Sequence, residues 1–351
     1  MLKYVIIGAG GTGGIIGFHM AKVAKDVTLI ARGKHLDGIR KAGLKIEMPY
    51  CGEQETVKIK AASMEEYDEK ADVIFVCVKN YSLRDIVPFI KRIAHEKTIV
   101  IPILNVYGTG GRMQKELPCI SVLDGCIYVS AYIKEPGVIL REGKMCRIFF
   151  GERENDLGCI ELELEEGESD SIRTMIGPGD RESDSIRTMI GPGVRESRIR
   201  LREIRDIEKT VESDLKDSGI EGILSEDIRK DAMQKFSYVS PIGVAGLYFD
   251  GTAGDFRNEG PQQEFFKALV NEIADLAGAM GISFEEDLVE VNLKILKSLA
   301  PEATTSMQRD VKEGKASEAD GLVFEVIRLA EEYGVDVPCY RKAAEKISRL
   351  I

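Results

Sequence analysis

The chain of 351 residues contains no apolar run approaching the ~20 residues that a membrane-spanning helix needs. No membrane association is therefore expected. It has only three histidines (His19, His35, His95), none at metal-ligand spacing, so no metal centre is expected. Its seven cysteines (Cys51, Cys77, Cys119, Cys126, Cys146, Cys159, Cys339) include no C-x-x-C pair. An odd, scattered set fits a reduced cytoplasmic enzyme better than a disulfide framework. Positive charge is also in deficit, with 48 Lys and Arg against 59 Asp and Glu, a net −11. That balance argues against a nucleic-acid partner, which needs a basic surface. It leaves room for an anionic small molecule held by a local basic cluster.

What is present describes a globular protein: 44% hydrophobic and 30% charged residues. The length suggests two domains, since one core seldom grows beyond ~250–300 residues. The opening MLKYVIIGAGG has a short apolar stretch before its glycines, with no basic n-region or cleavage site, and reads as a first strand rather than a signal peptide. Tyr4–Ile7, Val27–Ile30, Val73–Val78 and Thr98–Ile103 are nearly continuous in hydrophobicity, as in parallel strands buried on both faces. Between the first two lies Gly14–Lys25, with Ile15, Ile16, Met20 and Val23 on one helical face. The pattern predicts an α/β fold, with a doubly wound parallel sheet of Rossmann type at the N-terminus. From Pro261 onward apolar residues recur at helical spacing, predicting a mainly α-helical C-terminal domain. Between the two, ESDSIRTMIGPG occurs at Glu168–Gly179 and again at Glu182–Gly193. Two copies are too few for a solenoid, and the stretch reads as an insertion, a hairpin pair or a mobile loop, added by local duplication. The expected division is residues 1–154, an inserted 155–198, and 199–351.

Gly8-Ala9-Gly10-Gly11-Thr12-Gly13 fits G-x-G-x-x-G, directly after an apolar strand and opening a helix. Those six residues are the expected pyrophosphate site. The first glycine permits the turn, the second admits the phosphates, and the third lets helix and strand approach. The second strand then ends Leu29-Ile30-Ala31-Arg32-Gly33-Lys34, without the Asp or Glu that holds the ribose hydroxyl of NAD. Arg32 is suited to gripping a 2′-phosphate, which points to NADPH rather than NADH.

Taken together, these segments resemble the ketopantoate reductase (2-dehydropantoate 2-reductase) family. The resemblance rests on Gly8–Gly14, Val27–Arg32, Gly43-Leu44, Cys77-Val78-Lys79, Ile103-Leu104-Asn105, Pro136-Gly137-Val138 and Phe150-Gly151-Glu152. It continues through Ser225–Ile228, Lys235-Phe236, Thr305-Ser306-Met307, Asp310, Ser317–Asp320, Tyr333-Gly334-Val335 and Pro338. What it implies is NADPH-dependent reduction of a small 2-keto acid and, for the reductase proper, a place in pantothenate biosynthesis. It implies Lys235 as proton donor and Glu318 as a carboxylate in the cofactor and active-site cleft, orienting Lys235 or offsetting its charge. Ser306 would hold the substrate, Asn105 would touch both substrate and cofactor, and Lys79 would lie on the cofactor. From residues alone, Lys235 reads as a surface lysine beside Lys230 and Gln234, Glu318 as a carboxylate complementing a helix dipole, and Asn105 as a turn former.

The chain departs from the family pattern where the substrate would sit. Met233 replaces a tryptophan, Val106 a glycine, and Val239, Gly243 and Ala253 three asparagines. Losing three amides removes bonds for a hydroxyl-bearing substrate, so a less polar keto acid is expected. A non-catalytic NADP-binding sensor is the competing reading. The apolar C-terminal half has surface enough for a homodimer, although nothing in the sequence specifies one.

Overall fold

The computed structural model describes residues 1–153 and 192–351, with side chains from residue 202 onward in the second stretch. Most of the duplicated segment lies outside the described residues. Six strands form the first sheet: β1 (Lys3–Ile7), β2 (Asp26–Ile30), β5 (Lys60–Ala62), β6 (Ala71–Val76), β7 (Ala94–Pro102) and β8 (Ser121–Val122). All pair in parallel in the order β5-β2-β1-β6-β7-β8, the doubly wound arrangement expected. Alternation along β1 explains why its run is apolar throughout: Tyr4 and Ile6 join one core cluster, and Val5 and Ile7 join the cluster on the other face.

Helix α1 (Gly11–Lys22) packs against β2 and starts inside the glycine turn, three residues before its expected start. Helix α3 (Leu83–Ile93), which follows α2 (Gly33–Ala42), buries Ile86, Phe89, Ile90 and Ile93 on the opposite face. Two small sheets were not foreseen. One joins β3 (Leu44–Met48), β4 (Glu53–Val57), β10 (Ala131–Glu135) and β11 (Val138–Arg141) in the order β10-β11-β3-β4. The other joins β9 (Asp124–Tyr128), β12 (Arg147–Gly151) and β13 (Glu221–Leu224). All their strands are short, β3 is only partly buried, and β4 and β10 are largely exposed, so neither sheet leaves a strong periodic signal.

The expected boundary at residue 199 is corrected by the packing. It falls inside α5 (Pro192–Asp217), which follows α4 (Thr109–Glu116), and Ile204, Val211 and Leu215 of α5 are buried in the N-terminal core. Strand β13 then pairs in parallel with β12, so the chain leaves the first core only after Leu224. A helical C-terminal core follows, as expected, built on α6 (Ile228–Phe249) and α7 (Pro261–Ala279). Around them lie α8 (Leu288–Ser298), α9 (Ser306–Lys312), α10 (Glu325–Tyr333) and α11 (Pro338–Ile347). Asp227 caps α6 by accepting from Lys230 N at 3.0 Å. The loop after β7 crosses over, so that Val106 and Tyr107 are buried in the C-terminal core. This crossing brings the two halves together around one cleft. Among the described residues, no helix is long and apolar enough to span a membrane, and no group of residues is placed to hold a metal.

Candidate active site

The glycine turn has the geometry that its spacing implies. Gly8 sits at φ 101°, and a Cβ there would lie 2.9 Å from the Cys77 carbonyl. A Cβ on Gly13 would lie 2.0 Å from Gly8 O, so only glycine lets α1 close onto β1. A Cβ on Gly10 would meet nothing within 4 Å, which leaves the open side of the turn free for a ligand. Gly8 N donates to Ile30 O at 3.0 Å, placing the end of β2 beside the turn. Arg32, the residue preceding α2, and Lys34 in its first turn are exposed there, and that turn contains no acid. These residues fit a dinucleotide pyrophosphate at α1, with an anionic group beyond β2.

The strand ends of β6 and β7 supply the other side of the cleft, where open α/β sheets hold their ligands. Lys79 follows β6, and its Nζ donates to Glu318 Oε2 at 3.0 Å and to Asp310 Oδ2 at 3.3 Å. Burial alone would lower Lys79, but the two carboxylates outweigh it and raise its pKa. Glu318 is buried and also accepts from Asn80 N at 3.4 Å. Lys79, Glu318 and Asp310 thus join the two halves of the molecule.

Asn105 follows β7 and accepts from Lys235 Nζ at 2.7 Å. Lys235, on α6, is only 6% exposed, which corrects its surface reading. Its Nζ also lies 5.9 Å from the centroid of the Tyr128 ring. Burial pushes the Lys235 ammonium below its usual pKa, against a smaller opposing pull from Cys126 and Glu318. Together with Asn105, Tyr107, Cys126 and Phe236 it lines a small cavity, in which it is the sole cation among the described residues. The hydrogen-bonding oxygens of Glu318 are engaged by Lys79 and Asn80, so it acts on Lys235 through its charge, and the hydrogen-bond partner of Lys235 is Asn105. Ser306 is the first residue of α9, half-buried, beside a Thr305–Gln308 capping box.

The departures from the family pattern are visible as packing. A Cβ on Gly243 would lie 2.8 Å from Met307 Cε, so a methionine methyl fills the space that an asparagine there would need. A Cβ on Gly321 would lie 2.4 Å from Val106 Cγ2, so the larger residue after Asn105 is accommodated by a glycine in the π turn Asp320–Phe324. Ala253 is buried, and Met233, in place of the tryptophan, is wholly buried in the C-terminal core. The sequence singles out neither Tyr128 nor His35 for the site, nor Cys126, which lines the cavity beside Lys235. Single residues without a pattern leave no signal of such contacts.

The family description "ketopantoate reductase PanE/ApbA" matches residues 4–155, and its C-terminal counterpart matches residues 227–350. The chain belongs to that family. It is accordingly an oxidoreductase. It is 22% identical to the "uncharacterized oxidoreductase YkpB" of Bacillus subtilis, an alignment covering 96% of this chain and 95% of that protein. It is 24% identical to a 2-dehydropantoate 2-reductase of Pyrococcus horikoshii, over 96% of this chain and 93% of the relative. The fold is shared with a D-mandelate dehydrogenase solved with NADH and anilino(oxo)acetate, at TM-score 0.76 and 18% identity, covering 99% of this chain and 98% of the other. Family membership thus agrees with the expectation drawn from the sequence. These relatives are distant, at 18–24% identity.

Proposed function

We propose that this ketopantoate reductase family member reduces a small 2-keto acid with NADPH, and that its substrate has a less polar tail than ketopantoate. The observation that carries this reading is Lys235, a buried lysine held at 2.7 Å by Asn105 in a cavity at the strand ends. A reduced nicotinamide dinucleotide bound at the glycine turn supplies the hydride. Hydride arrival at a keto carbon builds negative charge on its oxygen, and a positioned ammonium both stabilises and protonates that oxygen. Burial favours this role, because it lowers the cost of giving the proton up. Asn105 orients the ammonium in the absence of substrate. Ser306 contributes a hydroxyl for the substrate carboxylate, and Lys79 with Glu318 forms the cofactor side of the cleft. Support for NADPH comes from Arg32 and the lack of an acid in the first turn of α2. NADH is the competing cofactor, since the D-mandelate dehydrogenase neighbour was solved with it.

Support for an apolar tail comes from Val239, Gly243 backed by Met307, and Ala253. A pocket built for hydroxyls rejects analogues that lack them, whereas an apolar wall gives up that discrimination. The test is NADPH oxidation with ketopantoate, 2-ketoisovalerate and phenylglyoxylate. The expected result is a higher kcat/KM for the two apolar acids than for ketopantoate. A clear preference for ketopantoate would overturn the substrate reading. Tight NADPH binding with no turnover on any keto acid would favour a sensor.

A further inference from the structure

His35 has no part in the chemistry described above, yet it is bonded to the glycine turn. It lies in the first turn of α2, three residues after Arg32, and is half-buried. Its Nε2 is 2.8 Å from Ala9 O, and its Nδ1 is 3.1 Å from Gly137 N. A backbone N–H only donates, so Nδ1 accepts from Gly137 and the ring proton sits on Nε2, which donates to Ala9 O. The tautomer is fixed by its two partners. Burial lowers the imidazole pKa, which keeps Nδ1 an acceptor. The helix that carries His35 lies close to the same turn, because a Cβ on Gly38 of α2 would lie 2.7 Å from the Pro136 carbonyl carbon.

Ala9 lies between Gly8 and Gly10, and its carbonyl shares a peptide plane with Gly10 N–H. In a trans peptide the C=O and the following N–H point in opposite directions. Holding the carbonyl towards His35 therefore aims the Gly10 N–H the other way. Within the glycine turn, Gly10 is the glycine whose added Cβ would meet nothing within 4 Å, whereas Gly8, Gly11 and Gly13 are crowded. We infer that His35 is a positioning residue for dinucleotide binding: it sets the Ala9–Gly10 peptide so that the Gly10 amide faces the pyrophosphate, and it ties that peptide to the segment bearing Arg32. The inference rests on the reading of the glycine turn as a dinucleotide site.

The test compares His35→Phe, which keeps the ring and loses both bonds, with His35→Gln, whose amide reaches the Ala9 carbonyl. NADPH and NADH binding is followed by nucleotide fluorescence, with steady-state kinetics and thermal melting alongside. His35→Phe is expected to raise the dinucleotide Kd and KM roughly tenfold, the weight of about one or two hydrogen bonds. The keto-acid KM and kcat should be little changed, Tm should fall by no more than a few degrees, and His35→Gln should return the dinucleotide Kd to within about threefold of wild type. Should the Phe variant not fold, His35→Asn, too short to reach Ala9, takes its place. Unchanged dinucleotide affinity in the Phe or Asn variant, or no rescue by Gln, overturns the inference. Failure of the wild-type protein to bind either dinucleotide removes the underlying reading, and the inference with it.

Discussion

Replacing Lys235 by Met removes the only cation among the described residues that line the cavity, while keeping an unbranched side chain of similar length. Because Lys235 is 6% exposed, the substitution trades a desolvated ammonium for an apolar group, and the fold should not suffer. The cost falls on chemistry. General acid catalysis contributes about 10²–10⁴ in rate, or about 3–5 kcal/mol of transition-state stabilisation. We therefore expect kcat for NADPH-dependent reduction to fall about 10²–10⁴-fold. Dinucleotide affinity should stay within about threefold, since the residue bonds Asn105 and not the glycine turn. The active form is the ammonium, so wild-type kcat/KM should hold at low pH and fall as pH rises through the Lys235 pKa. Burial puts that alkaline limb below the ordinary lysine value of 10.5. In Lys235→Arg the charge remains but the proton is not released, so activity should stay low. Stopped-flow and steady-state assays from pH 6 to 10 read all of this. Wild-type-like kcat in Lys235→Met, or an alkaline limb that persists in its residual activity, would refute the assignment.

Two further perturbations probe other parts of the molecule. Arg32→Ser should raise the KM for NADPH about 10- to 100-fold, the range of a charge-assisted bond to phosphate, and leave NADH nearly unchanged; a preference for NADH untouched by the change would exclude the phosphate role. Glu208 on α5 is 3% exposed, and burial, with Glu152 nearby, pushes its carboxyl up to about 7. A raised carboxyl contributes stability that is complete below the unfolded pKa and is lost as pH rises through the folded one. Neutral Glu208→Gln should therefore be more stable than wild type at pH 8.5, by up to roughly 3 kcal/mol, and no more stable at pH 4. Chemical denaturation at the two pH values checks this, and identical differences at both would contradict it.

The sequence made the first layer of this structure legible for a definite reason. Strands buried on both faces leave unbroken apolar runs, and a turn that admits no Cβ leaves glycines at fixed spacing. Gly8, Gly13 and the run Tyr4–Ile7 were readable on those grounds. Lys235 was not, because its helix is polar around it and its burial is created by Asn105 and Tyr128, 130 and about 107 residues earlier in the chain. The cross-domain pairing of Lys79 with Glu318 has the same origin. Strands β3, β4 and β10 escaped notice because half-exposed short strands alternate weakly. The boundary at 199 failed because a helix that returns to an earlier core looks, in sequence, like any other amphipathic helix.

That return has a consequence for how the protein is made. Strand β12 is completed by β13, which begins about seventy residues later in the chain. A nascent chain that has reached Gly151 presents the buried residues Ile148 and Phe150 with one side of their strand unpaired. At about 5–20 residues per second, translation leaves that edge open for roughly 4–15 s. An unpaired apolar edge is a template for wrong partners. The ribosome-bound intermediate, rather than the finished enzyme, is therefore where this chain is most exposed to misassembly, and a fragment ending near residue 154 would carry the same open edge permanently.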